Sequence, residues 1–308
     1  MITKKQNLLP GTLVKVRSLP EIMSTLDQQG TLEGLPFMPE MTRYCGAQFR
    51  VTRRIERTCE EFTDGMRRIQ NVVYIDDLTC DGAEHGGCQK ECKLLWKEAW
   101  LERSENNTIL PHTYGQGDQA VSNLTCNLSG GRYICQFTEL AKATTPFSRF
   151  DLTSYIRDIR SKTYSIPKLT SFLSYAIFLR LRYYLTGTPW RFLVGQQVRT
   201  PSESLNLQPG EWVQVKTKEE IEKTLDSNGK NRGLLFTTDM ARSCGRNYRV
   251  RRRLEKGIID RTQKLREIKN TVILEDCFCE GSYMLRGGCP RENYHWWREV
   301  WLRRIPCR

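Results

Sequence analysis

Apolar and polar positions alternate in short runs along much of the chain. The stretches 13-LVKV-16, 48-QFRVTRRIE-56 and 71-NVVYIDDL-78 set Val, Ile, Tyr and Phe among Arg, Lys and Asp. That period of two predicts half-buried β-strands. Between the first two, 20-PEIMSTLD-27 breaks the alternation and predicts a short helix, with Asp27 and Gly30 placed to end it. The segment 96-WKEAWL-101 reads as a last strand. After residue 150 the period changes. Two helical pieces follow, broken near Pro167; Asp151 or Thr153 would cap the first, and Gly187 and Pro189 would stop the second.

The strand pattern occurs twice. The run 11-GTLVKVRSLPEIMSTLDQQG-30 aligns with 210-GEWVQVKTKEEIEKTLDSNG-229 at a spacing of 199 residues. The same spacing carries 45-CGAQFRVTRRIE-56 onto 244-CGRNYRVRRRLE-255 and 71-NVVYIDDLTCDG-82 onto 270-NTVILEDCFCEG-281. After a two-residue insertion, 86-GGCQKECKLLWKEAWL-101 meets 287-GGCPRENYHWWREVWL-302. The expected fold is therefore mostly β with an α connector: two homologous small SH3-like β-barrel units, each opening on a G-x-x-V-x-V strand. The expected boundaries are residues 1–104 for the first repeat, 105–206 for a loop and helical connector, and 207–308 for the second repeat.

Composition narrows the function classes. The chain has 308 residues, 39% of them hydrophobic, enough for ordered cores rather than disorder. Lys and Arg number 48 against 35 Asp and Glu, a formal charge of +13, which favours acidic partners such as nucleic acid, anionic lipid or an acidic protein. MITKKQNLLPG carries no apolar run after its lysines, and no stretch reaches membrane-span length, so a cytoplasmic protein is expected. Twelve cysteines in a reducing compartment read as metal ligands or buried thiols rather than as a disulfide framework.

The cysteines are not spread evenly. In 80-CDGAEHGGCQKEC-92, three cysteines and one histidine lie on a glycine-containing loop. The second repeat acts as a control. Cys45, Cys80 and Cys88 have counterparts in Cys244, Cys279 and Cys289, whereas Cys59, His85 and Cys92 face Ile258, Arg286 and Asn293. Three potential ligands missing together fit the loss of one shared metal site. The expected ligands are Cys59, Cys80, Cys88 and Cys92, with His85 replacing one of them or donating a hydrogen bond from behind. Zinc and an iron–sulfur cluster both accept such a set. A second site would draw on Cys244, Cys277, Cys279 and Cys289, with His295 nearby. The competing reading is a group of inert buried thiols.

Other residues suggest weaker chemistry. Arg249, Arg251 and Arg253 alternate on one strand and would form a ridge for a polyanion, with aromatics close by for stacking on bases. A solvated strand face paired with acids explains the same pattern. The segment 167–185 would lie in a membrane surface or pack as core. Glu98 and Glu299 share a W-[KR]-E-x-W frame and read as buried structural carboxylates rather than as acid/base groups. No phosphate loop, nucleophile elbow or H-E-x-x-H occurs.

The runs 34-GLPFMPEMTRYCG-46, 80-CDGAEHGGCQKEC-92 and 96-WKEAWL-101, with 135-CQFTEL-140 and 289-CPRENYHWWREVWL-302, resemble a set of uncharacterised bacterial twin-repeat, cysteine-rich proteins. The resemblance covers most of the chain. It implies a bacterial, cytoplasmic protein, encoded among biosynthetic genes, and transfers no activity. The expected function is thus a metal-binding accessory protein acting on a biosynthetic-pathway protein or a polyanion. Its rivals are an iron–sulfur or open-metal-site enzyme, whose small-molecule substrate the sequence leaves unknown, and a nucleic-acid-binding protein.

Overall fold

The computed structural model describes residues 6–59, 66–104, 124, 126–146, 153–190, 192–281 and 288–306. Asp151, Arg286, Cys307 and most of the expected loop over 104–131 lie outside the described residues. The chain is mostly β, with antiparallel sheets, and divides into two compact units. One comprises Met1–Ile166 with Ile258–Arg266, the other Pro167–Gly257 with Glu267–Arg308. The division departs from the boundaries expected at 104 and 206. The connector does not stand as a body of its own, and a hairpin segment of the second repeat's sequence belongs to the first unit.

In the first unit, β1 (Leu13–Val16), β2 (Gln48–Cys59), β3 (Met66–Ile75), β4 (Trp96–Lys97), β5 (Leu101–Arg103) and β6 (Thr145–Pro146) form one sheet. Its order is β6-β3-β2-β1-β5, and β4 also pairs with β3. Only a three-residue 3-10 turn, Glu98–Trp100, separates β4 from β5, yet these strands sit on opposite edges. The sheet must curl to allow this, giving a half-barrel. The segment expected to be one closing strand is therefore two short strands around a turn. Within β1, Val14 and Val16 face the core and Lys15 faces away from it, as the alternation requires; Leu13 is buried on the face of Lys15, outside that core. Between β1 and β2, α1 (Leu19–Met23) is opened by a capping box in which the Ser18 N–H donates to Glu21 Oε2 at 3.0 Å. Asp27 lies beyond the helix and instead fixes the next turn, accepting from the N–H groups of Gln29 and Thr31.

The helical pieces of the connector are α2 (Thr153–Arg160), in the first unit, and α3 (Ile166–Thr186), almost all of which lies in the second. Pro167 stands in the first turn of α3, where its missing N–H costs nothing. Gly187 ends that helix in the left-handed conformation (φ 66°), its N–H bonding the Tyr183 carbonyl at 2.8 Å. Leu169, Phe172, Ala176 and Leu179 of α3 are buried, whereas Ile177, Phe178, Leu181, Tyr184 and Leu185 are exposed. No helix among the described residues is long and apolar enough to cross a membrane.

The second unit repeats the sheet. Strands β7 (Trp212–Val215), β8 (Asn247–Arg253), β9 (Thr271–Phe278), β10 (Tyr294–Arg298) and β11 (Leu302–Arg304) take the order β10-β9-β8-β7-β11. A short helix, α4 (Lys218–Glu222), follows β7 as α1 follows β1. The cores match at the level of single contacts. Phe37 meets Trp96 and Trp100 edge-on at 6.3 and 5.2 Å, and Phe236 meets Trp297 and Trp301 at 6.0 and 5.0 Å. A buried indole N–H needs an acceptor. Trp100 donates to Thr25 Oγ1 and Trp301 to the equivalent Thr224 Oγ1.

Each unit also buries one carboxylate. Glu98 accepts from the Leu8 N–H at 2.8 Å and pairs with Arg54. Glu299 accepts from the N–H groups of Leu205, Asn206 and Leu207 and pairs with Arg253 at 3.3 Å. The glutamates thus pin the segment ahead of each first strand.

Candidate metal centre

The cysteine-rich loop leaves the sheet after β3. Thr79 bridges Lys93, and the Cys80 N–H bonds the Cys92 carbonyl at 2.9 Å, so the loop is drawn shut at its neck. Inside it, Gly82 (φ 74°) opens a 3-10 turn over Ala83–His85, and Gly86 (φ 64°) closes it. A Cβ on Gly82 would fall 1.8 Å from the Cys88 carbonyl oxygen, so only glycine lets the chain fold back on itself here.

This turn sends His85 inward, leaving it 1% exposed. Its Nε2 lies 3.0 Å from the Ile134 carbonyl oxygen. A carbonyl can only accept, so Nε2 carries a proton, and in the neutral ring Nδ1 presents its lone pair. That lone pair faces Cys80 Sγ at 3.7 Å and Glu40 Oε1 at 3.8 Å. A tetrahedral zinc ion would set sulfur and nitrogen ligands about 3.6 Å apart and nitrogen and oxygen about 3.3 Å apart. Cys126 joins Glu40 and His85 without lining the cavity beside them. Ligand atoms of Glu40, His85 and Cys126 all lie within 4.8 Å of one another, and all three residues are buried.

Glu40 enters from the 3-10 helix Pro39–Tyr44. Neither carboxylate oxygen accepts an N–H; they face the Cys80 thiol. Around these groups lies a cavity of about 30 Å³, lined by Cys80, His85, Cys88, Cys92 and Cys135 among others. That is room enough for an ion or a water. Burial, and then the Glu40 carboxylate, pushes the Cys80 and Cys126 thiols well up. Burial, followed by Asp260, takes Cys135 to about 11. A bound cation would reverse that field.

The wall of the cavity includes Lys90, whose ammonium pairs with Asp260 at 2.6 Å and donates to the Ile258 carbonyl. The Ile258 N–H points at Cys88 Sγ, 3.5 Å away. Thus 258–266 supplies part of the first unit's site.

Of the residues expected from sequence, Cys80, His85, Cys88 and Cys92 come together at this cavity, whereas Cys59 does not join them. The loop starts beyond Ile75, the end of β3 that pairs with Val51. Cys59 pairs with Met66 at the other end of the hairpin, on the order of 25 Å along the strand. Sequence reasoning missed Glu40, Cys126 and Cys135. Glu40 had a signal, because Asp239 repeats the acid at the equivalent position. Cys126 and Cys135 fall outside the repeat, so no twin position marks them.

Of the second set, Cys279 lies close to Asp239 and His295. Cys277 packs in the core, 3.6 Å from Ser243 Oγ, and Cys244 packs at the core's edge, its thiol pushed up to about 11 by burial. Cys289 is buried against Gly281.

The expected arginine ridge is broken. A register shift between Val250 and Arg252 interrupts the alternation of β8. Arg253 reaches the buried Glu299, Arg249 donates to the Gly210 carbonyl, and Arg251 lies over the Tyr294 ring. No family model matches the chain, and no curated protein or solved structure matches it.

Proposed function

We propose that the protein is a zinc-binding accessory protein built on two SH3-like barrels, with the metal held in the first unit by Cys80, His85, Cys92 and Cys126. The observation that carries this reading is the state of His85. Its Nε2–H is committed to the Ile134 carbonyl, and its Nδ1 lone pair is aimed at a thiol and a carboxylate in a small cavity. Metal-bound histidines are oriented in this way by a partner on the far nitrogen. An imidazole and a carboxylate beside thiolates favour a single zinc ion over an iron–sulfur cluster, whose ligands are mostly thiolates. Glu40 would accept a hydrogen bond at the edge of the site or replace one thiolate.

Burial of His85 and Cys126, with Cys80 and Cys92 half-buried beside them, favours a structural centre that couples metal binding to folding. The barrel assignment rests on the strand order, with the first strand flanked by the second and the last, and on the 3-10 turn before the last strand. The partner would be a protein or a polyanion; Arg253 is held by Glu299, whereas Arg249 and Arg251 stay on the exposed face of their strand. Chelation followed by a thermal melt tests the reading. Stripping zinc should lower the melting temperature of wild type and leave His85→Ala, already weakened, almost unmoved. Equal melting of stripped and loaded wild type would refute it.

A further inference from the structure

The second repeat lacks the counterparts of Cys59, His85 and Cys92, yet its sequence keeps Cys244, Cys277, Cys279 and Cys289, with His295 nearby. Its structure narrows that set. We propose that the second unit holds its own divalent metal ion, of the zinc class, on Asp239, Cys279 and His295. This inference does not depend on the first site being occupied.

Ligand atoms of the three residues all lie within 4.8 Å of one another. His295 Nε2 is 3.7 Å from Asp239 Oδ2, close to the separation of about 3.3 Å that a shared tetrahedral ion would impose. Both side chains are more than nine-tenths buried, whereas Cys279 is half-exposed. The local backbone holds the group in place. Asp239 Oδ2 accepts from the Glu280 N–H at 2.8 Å, which ties the carboxylate to the residue beside Cys279. The Cys279 N–H bonds the Asn293 carbonyl at 2.8 Å, as Cys80 bonds Cys92 in the first unit. Arg242 approaches the other Asp239 oxygen only at 4.0 Å and bonds Glu280 more closely, at 3.3 Å. The His295 ring packs edge-on against Trp297, which limits its rotation.

Duplication supplies an independent argument. Asp239 and Cys279 occupy the positions of Glu40 and Cys80, so an acid and a thiol recur together in both units. The histidine has moved. In the first unit it comes from the loop, as His85. In the second it comes from the strand, as His295, where the first unit has Leu94. The chain has three histidines in all, and two of them lie beside the equivalent acid–thiol pair. A core histidine placed for packing would have no reason to choose that pair. Three protein donors leave a fourth coordination position, and the half-exposed Cys279 puts it within reach of water or an external donor.

The test is a titration of the metal-free full chain with cobalt(II), followed by its visible absorption. Wild type should take up two equivalents. Cys80→Ser/His85→Ala should take up one, with the spectrum of the second site alone. His295→Leu should also take up one, with the spectrum of the first. Leucine is the residue the first repeat tolerates at this position, so the fold should survive; Asp239→Asn serves as the second variant and keeps an acceptor for the Glu280 N–H. Folded His295→Leu and Asp239→Asn that both bind as much cobalt as wild type would overturn the second site. Loss of one equivalent in these variants, with none lost in Cys80→Ser/His85→Ala, would sustain the second site and refute the first.

Discussion

Single residues carry most of what distinguishes this molecule from an ordinary pair of small β units. Gly82 is one of them, because a side chain there meets the Cys88 carbonyl head-on. Gly82→Ala should destabilise the first unit by at least about 2 kcal/mol, through both the clash and the left-handed φ. Gly87→Ala, at φ 79° but with open space around it, should cost only about 1 kcal/mol. Urea unfolding of metal-loaded protein separates the two, and equal losses would show that the loop is not packed as described. The buried glutamates behave differently. Glu98→Ala leaves the Arg54 guanidinium inside with Glu56 as its remaining acid and the Leu8 carbonyl as an acceptor, and should cost about 3 kcal/mol. Glu299→Ala strips Arg253, itself only half-buried, and frees three backbone N–H groups; a similar loss is expected in the second unit. Such residues were legible in sequence where repetition marked them, as with Glu98 and Glu299. Cys126 and Cys135 were not, since a thiol outside the repeat looks the same whether it is a ligand or core.

At the scale of elements, the strands could be read from alternation, and the pairing of β1 with β2 and β5 follows from burying one face of each. The 3-10 turn inside WKEAWL could not, because three residues carry no period. Nor could the assignment of 258–266 to the first unit, since it depends on contacts formed long after local structure is set. That segment gives a sharp prediction. Asp260 holds the buried Lys90 ammonium at 2.6 Å, so Asp260→Ala should destabilise the first unit by about 3 kcal/mol although it lies in the second repeat's sequence. Replacing the pair together, Lys90→Met with Asp260→Leu, should recover most of the loss. A double-mutant cycle followed by urea unfolding checks this, and strictly additive losses would show that the two side chains do not interact. For α3, the alternation of buried and exposed apolar positions was not legible from composition, because the helix is apolar on most faces. Replacing exposed Phe178 and Leu181 with Ser should leave stability within about 0.5 kcal/mol, as measured by melting, whereas Phe172→Ala should cost about 3 kcal/mol.

For the whole molecule, duplication explains both what was readable and what was misleading. Two copies of one fold let each residue be weighed against its twin, and this singles out the 80–92 loop in the sequence. It also marks the second copy as poorer in ligands while leaving a second site there open, because position-by-position comparison cannot place a histidine that comes from another strand. Convergence in space, of Asp239 and His295 on Cys279, is invisible to a one-dimensional alignment. The central claim is that the buried Cys/His group of the first unit is a zinc centre. Its most direct test is the metal content of full-length protein purified without oxygen, compared with that of Cys80→Ser/His85→Ala. Colourless wild-type protein containing zinc, one equivalent of which disappears in the double variant, is the predicted result. Brown protein with iron and sulfide, or zinc content unaffected by the double substitution, would contradict it.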